Sequence, residues 1–509
     1  MRRALRPSLA LAIAAALAAC SVDVEGARCS VVGSTTECPS GQRCGTGLTC
    51  SVRAAGCTPC VEDGTSHCAV GATDFLKCSA AGDSACGTTT VVKSCAVSLQ
   101  TCQVPVAGGD PDCACGTWTV VPGAAAGTCT KPSITSAIAE AVKFPSPKVA
   151  LGGAAPATYG NELDDEAPIV IPAGVTLLGG DAATAAATNR IIAVQGPGPE
   201  GLQVQAGASV RGVAVQRGVS ASNELTIGVL LTGGAAAGGN TLVSVRIDAG
   251  GAGGGFATGL RVAGANAVAV SDVLVQGATV AGLEVNRLGA SDVVLVDQSV
   301  FDGNQVGVSL LRGDLTLAGS TVKRSVAEGV NSATGASGLT SLSVLDCVVS
   351  WNGTAGMVLS TNDKLDVQRT RICRNTGSDR TISTVTRKVG GIFSLSNPPA
   401  AIAFAGNWVH DNGGDQVFIG AAGGPWNLAG AAGCAVGDRN VFANYTAPGV
   451  GVAAVGATVN AKYNSWGSAF PSAGTDYTAV SGTVDAGTGA GSSDFCLPVD
   501  SADLACPAP

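Results

Sequence analysis

Four side chains that could take part in acid–base chemistry fall near the end of a repeated segment: Asp302, Lys323, Arg374 and His410. A carboxylate, an amine or an imidazole can carry a proton to or from a reacting group if such groups converge on one cleft. Asp302 and Lys323 occupy equivalent places in successive repeats, so stacking of the repeats would bring them together. Whether all four share a groove depends on the elements that carry the repeat.

Six twelve-residue windows share one pattern of apolar residues. Their starts lie 26, 21, 27, 23 and 37 residues apart, a period typical of a stacked solenoid with variable insertions. The second, fourth and ninth positions are aliphatic or Phe in every window, and the twelfth is Asn in four of them. The windows are 267–278, 293–304, 314–325, 341–352, 364–375 and 401–412.

The pattern predicts three short strands in each repeat. Positions two and four alternate with variable residues, as on one face of a strand, and position nine follows a bend. A Gly–apolar pair such as Gly307-Val308 then predicts a third strand, because glycine permits a positive φ or a close backbone approach. Like residues stacked from coil to coil predict an all-β fold, a parallel β-helix with an aliphatic interior.

Asparagine at position twelve suits a corner of such a coil. It tolerates the left-handed conformation, and stacked amides can hydrogen-bond between coils. A seventh window, 433–444, is expected to keep the register, with Cys434 and Val436 inward, Val441 at position nine and Asn444 at position twelve.

The first residues predict a targeting segment. Arg2, Arg3 and Arg6 precede an apolar run, 8–16, that is too short to span a bilayer. Leu17-Ala18-Ala19-Cys20 resembles the lipobox of bacterial lipoproteins, which implies a signal peptide over 1–19 and a lipid on Cys20. By the same resemblance, Ser21 implies the outer membrane. An ordinary signal peptide is the alternative.

Charge argues against nucleic acid as a partner. Removing Arg2, Arg3 and Arg6 with the signal leaves 26 of the 29 basic residues against 37 acidic ones, a formal net charge of −11. A chain this acidic is poorly suited to a polyanion as its main partner.

Residues 20–130 are predicted to form a disulfide-rich module. After Cys20 they contain fourteen cysteines and few apolar clusters, as in exported domains whose core is too small to hold the fold alone. The competing interpretation is a zinc knuckle at Cys57, Cys60, His67 and Cys68. It is disfavoured, since the chain has only two histidines and an exported protein meets an oxidising environment. No cofactor or metal is predicted.

A short helix is predicted where this module ends. Ile134, Ala137, Ile138 and Ala141 recur at helical spacing, and Ser133 can cap the N-terminus. The segment 131–162 followed by PIVIPAGVTLLGGD (168–181) resembles the opening of pectin-lyase-like right-handed β-helix proteins, in particular uncharacterised bacterial lipoproteins of that superfamily. The resemblance implies that the helix covers the open end of a right-handed coil stack over 131–480, leaving a C-terminal tail, 481–509.

The chemistry expected from that resemblance is largely missing. β-Helix lyases use clustered Asp for calcium with an Arg or Lys base, and the hydrolases use two or three Asp on adjacent coils. Here position ten contains one Asp and position eleven another, so Asp302 with Lys323 is interpreted as a cross-coil ion pair on a solvated surface. His410 is interpreted as a turn residue. A shallow sugar-binding patch is the role open to the late aromatic residues Trp351, Trp408, Trp426, Trp466, Tyr445 and Tyr463.

The sequence therefore predicts a lipid-anchored envelope protein that binds glycans or surface proteins without catalysis. The alternatives are a polysaccharide lyase or glycoside hydrolase, which would use Asp302, Lys323, Arg374 and His410, and a purely structural envelope component. Cys347 and Cys373 occupy different positions of the repeat, so no bond between them is expected, whereas Cys496 and Cys506 could close a small loop in the tail.

Overall fold

The protein forms two compact units, 1–116 with 143–145 and 117–142 with 146–509. The predicted limits of the signal peptide, the Cys-rich module, the β-helix and the tail stay predictions, and Cys20, Cys57, Cys60 and Cys434 lie outside the described residues. The computed structural model describes residues 42–44, 50–52, 66–68, 74–79, 88–95, 100–107, 112–160, 165–179, 189–219, 221, 223–233, 239–250, 255–264, 267–287, 293–332, 340–360, 364–395, 398–399, 401–420, 425–430, 438–467, 471–487, 496 and 505–509.

The first unit contains small antiparallel sheets and disulfides. Cys95 and Cys113 are bonded, and both are buried beside Cys102, which is also in a disulfide. Among the described residues of this unit, cystine thus forms part of the interior, as predicted. The strands pair as Gln42–Cys44 with Cys50–Val52, then Ser66–Cys68, Asp74–Ser79 and Thr88–Ser94 in order, and Thr101–Gln103 with Asp112–Ala114.

The second unit is a parallel β-helix, in which each coil contributes a strand to each of three sheets. The first sheet contains Trp118–Val120, Thr130–Lys131, Lys148–Leu151, Thr176–Leu178, Ser209–Arg211, Val294–Asp297, Thr340–Leu345, Lys364–Gln368 and Ala401–Ala405. The second contains Ala157–Tyr159, Arg190–Val194, Ala214–Arg217, Val300–Asp302, Thr321–Lys323, Val348–Ser350, Arg371–Cys373, Trp408–His410 and Val441–Ala443. The third contains Ile169–Ile171, Glu200–Val204, Ile227–Leu231, Thr258–Val262, Ala281–Asn286, Val330–Ser332, Met357–Leu359, Asp415–Gly420, Val452–Val455 and Tyr477–Ala479.

Some strands extend beyond a single sheet. Asn240–Asp248 and Val268–Gln276 pass from the first sheet into the second, and Val306–Ala318 passes from the third into the first. Val385–Ser394 joins the third sheet and also pairs antiparallel with Ser378–Ile382, forming a hairpin. A separate parallel ladder contains Pro425–Asn427, Thr458–Asn460 and Thr483–Asp485.

The predicted columns stack as expected. Val296 pairs with Leu317, Leu317 with Val344, and Val344 with Val367, and all four are buried. The ninth position stacks likewise on the second sheet, from Val275 through Phe301, Val322, Val349 and Ile372 to Val409. Each such side chain stabilises the fold by about 1.5–3 kcal/mol relative to exposure, so the aliphatic columns form the core.

The glycine before the third strand is required by close packing. A Cβ on Gly307 would lie 2.2 Å from Val322 Cγ1, and one on Gly356 would lie 2.6 Å from Ile372 Cγ2. Neither glycine has a positive φ. The Gly–apolar pair therefore brings the third strand against the ninth-position column of the next coil.

Two corners of each coil depend on a left-handed residue. The sixth position has φ between 47° and 68° in all six windows, and the eleventh has φ between 54° and 77°. At the second corner the left-handed residue is the one before the asparagine, such as Arg374 before Asn375, and not the asparagine itself. The asparagine instead points inward and is buried.

Buried amides connect the coils at both corners. Asn352 Nδ2 donates to Asn375 Oδ1 at 2.8 Å, and Asn375 Nδ2 donates to Asn412 Oδ1 at 2.8 Å. At the other corner the seventh-position Asn407 donates to Asn440 Oδ1, and Asn440 donates to Asn464 Oδ1. The sequence analysis missed this seventh-position column, which continues toward the N-terminus as Thr370, Cys347, Ser320 and Ser299.

The predicted register of the seventh window is wrong by one residue. Val441 pairs with Trp408 and Phe442 with Val409, so Phe442 holds position nine. Asn444 accordingly takes the left-handed eleventh position, with φ 52°. Asn440 determines this register, because its amide completes the seventh-position ladder.

The predicted helix spans Ile134–Ala141 and covers one end of the coils. Ser133 caps it by accepting from the backbone N–H of Ser136 at 3.2 Å. The buried Asp165 carboxylate accepts from the first two helical N–H groups, at 2.9 and 2.8 Å. The apolar face of the helix packs against the strands Trp118–Val120 and Lys148–Leu151. Among the described residues, no helix has the length and apolar character to cross a bilayer.

Replacing Asn375 by Ala should lower the free energy of unfolding by about 3 kcal/mol. The substitution leaves the backbone N–H and side-chain amide of Asn352 without their acceptor inside the coil. Urea unfolding followed by circular dichroism measures the change. Thr376→Ala, at an exposed neighbour, is the control and should stay within about 0.5 kcal/mol of the parent; equal effects would contradict the role assigned to the amides.

Candidate functional site

Asp302 lies beside Lys323 on the second sheet, as predicted, and the two are Cα partners on adjacent coils. Asp302 Oδ2 is 4.0 Å from Lys323 Nζ, and Oδ1 accepts from Arg324 Nε at 2.6 Å. The hydrogen bond to Asp302 raises the pKa of the Arg324 guanidinium. Two cations thus engage this carboxylate, and the arrangement is the predicted cross-coil ion pair extended by one arginine.

Arginine–indole pairs form the next part of the same side. The Arg374 guanidinium lies 5.2 Å from the centre of the Trp351 ring, and that of Arg371 lies 5.0 Å from the centre of the Trp408 ring. Arg374 and Trp351 occupy the left-handed corner, where φ is 55° and 61°. Each pair joins adjacent coils through a cation–π contact.

His410 differs from its predicted role as a turn residue. It ends the strand Trp408–His410, is fully buried, and its Nδ1 lies 2.7 Å from Asp411 Oδ2. Burial lowers the pKa of His410 despite the adjacent Asp411. The remaining ring nitrogen, Nε2, is buried with no hydrogen-bond partner.

The four sequence-derived candidates do not meet in one cleft. Asp302 and His410 belong to coils separated by three others on the second sheet, or roughly 19 Å at the usual strand spacing. The predicted aromatic patch is also divided, because Trp426 and Trp466 are buried. Trp351 and Trp408 alone among the tryptophans of this patch lie half-exposed on the second-sheet side.

Residues 505–509, here termed the C-terminal strap, contact the outer side of the second sheet. Cys506 is bonded to Cys373, so the loop expected between Cys496 and Cys506 is wrong, and Cys496 is in a different disulfide. Arg371 donates to the Ala505 carbonyl, and Trp351 Nε1 donates to the Pro507 carbonyl at 2.8 Å. The absence of a Cys347–Cys373 bond is confirmed. Cys347 is a free buried thiol, and burial raises its pKa to about 11.

A cleft that the sequence analysis did not find lies beside the hairpin, between Val385–Ser394 and the turn 446–449. Its volume is about 510 Å³. Asp379, Thr386, Lys388 and Thr446, all exposed, line its rim. Residues with hydroxyl, carboxylate and ammonium groups therefore border one open space.

Arg387 and Asp415 form the floor of this cleft. Asp415 is fully buried, and Arg387 binds both of its oxygens, Oδ1 through Nη2 at 2.7 Å and Oδ2 through Nε. Asp415 Oδ1 also accepts from the Val450 N–H at 2.8 Å. Burial raises the pKa of the Asp415 carboxyl, an effect that Arg387 opposes.

The cleft arises from an insertion. The hairpin occupies the interval between the windows at 364 and 401, whose starts are 37 residues apart, the longest spacing of the series. The alternating residues of Ser378–Ile382 and Thr386–Lys388 could have predicted a hairpin there. Its position against 446–449 depends on tertiary contacts that no local pattern contains.

In the described part of the chain, no cluster of three or more His, Cys, Asp or Glu side chains could hold a metal ion. Of the possible zinc-knuckle residues, Cys57 and Cys60 lie outside that part, and His67 and Cys68 belong to the strand Ser66–Cys68.

The three stacked sheets define a parallel β-helix. No family model matches the chain, and no curated protein matches it. Among solved structures, it is similar to a mannuronan C-5 epimerase A-module of Azotobacter vinelandii, with 13% identity over 70% of this chain and 95% of that one, and a TM-score of 0.37. It is also similar to a tailspike protein of Acinetobacter baumannii bacteriophage Fri1, a capsular polysaccharide depolymerase, with 10% identity over 64% and 57%, and a TM-score of 0.33. The catalytic domain of a GH87 alpha-1,3-glucanase matches with 10% identity over 75% and 68%, and a TM-score of 0.32. The activities named are those of the three proteins themselves.

Replacing Arg387 by Ala should lower the free energy of unfolding by about 3 kcal/mol at neutral pH, because it leaves a buried carboxylate unpaired. The loss should shrink as the pH falls toward about 4. With its folded-state pKa raised, Asp415 binds a proton more readily in the folded chain, which favours folding at low pH. Urea unfolding between pH 4 and 7 measures both effects.

Arg369→Ala is the matched control. Arg369 also pairs with a carboxylate, Asp346, but both side chains are about half-exposed, so the loss should be under about 1 kcal/mol. Similar losses in the two variants, or a loss at Arg387 that does not depend on pH, would contradict the analysis of the buried pair.

Proposed function

We propose that this protein binds glycan chains in the cleft beside its hairpin, as a lipid-anchored component of the bacterial cell envelope. The observation that carries the glycan proposal is the cleft of about 510 Å³ with a polar rim. Its volume lies within the range of pockets that hold small ligands, and is sufficient for short stretches of a polysaccharide.

The rim matches the chemistry of sugars. Each hydroxyl of a sugar ring both donates and accepts a hydrogen bond, so a binding site needs both kinds of group. Thr386 and Thr446 supply hydroxyls, Asp379 supplies a pure acceptor, and Lys388 supplies a pure donor. Lys388 makes no ion pair among the residues described, so its ammonium is available to a ligand oxygen or carboxylate.

The floor gives the cleft a fixed shape. Arg387 and Asp415 hold each other through two parallel hydrogen bonds, and Arg387 also donates to the Pro448 carbonyl at 3.3 Å. The pair thus ties the hairpin to the opposite wall. A site that is already formed loses less conformational entropy when it binds a ligand.

Binding is favoured over turnover because the buried carboxylate is already engaged. Arg387 occupies both oxygens of Asp415, so neither oxygen is free to meet a substrate. On the second sheet, Asp302 is neutralised in the same way by Lys323 and Arg324.

The second candidate function is a polysaccharide lyase or glycoside hydrolase. It is favoured by two carboxyl groups, those of Asp379 and Asp415, lining the same cleft. Burial raises the pKa of Asp415, which is the environment that suits a general acid.

Anchoring is proposed from the sequence. A lipid on Cys20 would hold the chain at the outer membrane, with the disulfide-rich residues between the anchor and the β-helix. A single lipid chain gives only reversible attachment, so more than one acyl chain would be needed for a stable anchor.

Lys388→Ala and Thr446→Ala should each weaken binding to the preferred glycan about tenfold, because each removes a hydrogen-bonding group from the rim. A panel of acidic and neutral polysaccharides, screened by array and followed by calorimetry, identifies that glycan. Lys364→Ala removes an exposed lysine from the first sheet and is the control. If all three variants bind the glycan as tightly as the parent protein, the binding site lies elsewhere. If the parent protein binds no glycan, a purely structural envelope component is favoured.

The same panel separates binding from catalysis. We expect no new reducing or unsaturated ends after prolonged incubation with the parent protein. Their appearance, together with their loss in Asp379→Asn, would establish the enzyme instead.

A further inference from the structure

The bond between Cys373 and Cys506 is unequally exposed on its two sides. Cys373 is fully buried, whereas Cys506 is partly exposed in a strap whose other residues are exposed. A thiolate from solvent can therefore reach only the sulfur of Cys506. Cys373 is then the sulfur that leaves.

His410 lies on the strand next to Cys373, whose sulfur leaves in this exchange. Cys373 and His410 are Cα partners at the ends of neighbouring strands, so their side chains project on the same side of the sheet, about 4.8 Å apart at the backbone. Burial lowers the pKa of His410, so the ring is neutral near pH 7. Since the Asp411 carboxylate can only accept, Nδ1 carries the ring proton and Nε2 presents a lone pair.

With the disulfide intact, that lone pair has no donor. His410 Nε2 is buried and without a hydrogen-bond partner, and a disulfide has no proton to offer it. A free Cys373 thiol would supply one. A reduced Cys373 whose S–H turns toward Nε2 would satisfy a buried polar atom that the oxidised protein leaves unsatisfied, and this would shift the equilibrium toward the dithiol form.

We propose that Cys373–Cys506 is a thiol-exchange site that releases the C-terminal strap, with His410 as the positioning residue whose Nε2 accepts a hydrogen bond from the reduced Cys373 thiol. The co-reactant is a dithiol. One of its thiols loses its proton and attacks Cys506 Sγ as a thiolate, and the electron pair of the broken S–S bond leaves on Cys373 Sγ. Cys373 takes up the proton that the attacking thiol released, and the new S–H donates to His410 Nε2. The second thiol displaces Cys506 as a thiolate, so two electrons pass to the protein and the reductant becomes a disulfide.

Charges of both signs surround His410. The Asp411 carboxylate raises its proton affinity, and Arg371 and Arg374 lower it. Release of the strap also frees the Trp351 indole N–H and the Arg371 guanidinium from the Pro507 and Ala505 carbonyls. The two arginine–tryptophan pairs then face solvent as one open surface.

The test is a redox titration of the full chain with dithiothreitol, read by differential alkylation and peptide mass spectrometry. Cys373–Cys506 should open at a lower ratio of reduced to oxidised reagent than the buried Cys95–Cys113 bond. His410→Asn should require about a tenfold higher ratio. Ser350→Ala is the matched control, because Ser350 is the buried Cα partner of Cys373 on the other side, and it should leave the midpoint unchanged.

Cys347 reports whether the coils stay folded, since it is buried and free and becomes alkylated only on unfolding. Reduction of Cys373–Cys506 with Cys347 still protected supports the proposal. Reduction only together with Cys347 labelling, or the same midpoint in His410→Asn and Ser350→Ala, overturns it. If His410→Asn does not fold, a midpoint for Cys373–Cys506 in the parent protein that is no lower than that of Cys95–Cys113 overturns it as well.

Discussion

The fold depends on two corners in each coil that turn the chain without leaving backbone polar groups unsatisfied inside. A left-handed residue at the sixth and eleventh positions makes each turn, and a small polar side chain at the seventh or twelfth fills its inner side. Left-handed backbone costs roughly 1–2 kcal/mol for residues other than glycine. The stacked amides offset that cost, because buried N–H groups at these corners, such as those of Asn352 and Asn375, meet an oxygen from the next coil. The aliphatic columns can stack only because these corners repeat.

Much of this architecture could be read from the sequence, since its signals are local. Alternation at positions two and four, the apolar ninth position and the glycine before the third strand correctly predicted which residues stack. The predicted register of the seventh window was wrong by one residue, because both Asn440 and Asn444 could be the corner asparagine. Only the amide contact with Asn407 distinguishes them, and that contact is not local.

The sites were harder to predict for the same reason. Position ten alternates with an inward residue, so His410 reads as outward and solvated, yet it is fully buried. The strap lies on the same side of the sheet, and it is bonded to Cys373 from 133 residues along the chain. The cleft beside the hairpin likewise needs 446–449 opposite Lys388, and no repeat pattern specifies that approach.

Arginine–carboxylate pairs recur on this β-helix, and burial decides what each can do. The exposed Arg369–Asp346 pair lowers the pKa of Asp346, mainly through the hydrogen bond from Arg369. At Arg387–Asp415 the desolvation of a fully buried carboxylate is the larger effect, and the pKa of Asp415 rises. The same two residue types therefore serve as solvated cross-links in one place and as the rigid floor of a cleft in another.

The bond from Cys373 to Cys506 also changes how the end of the solenoid can come apart. It encloses the strands Trp408–His410 and Val441–Ala443 in a covalent ring spanning 133 residues. Closing a ring of that length is worth about 5 kcal/mol in the chain-entropy model, through the denatured state. Terminal coils of a stacked protein ordinarily fray one at a time. Here the final coils are tied back to the middle of the stack, so they must unravel together.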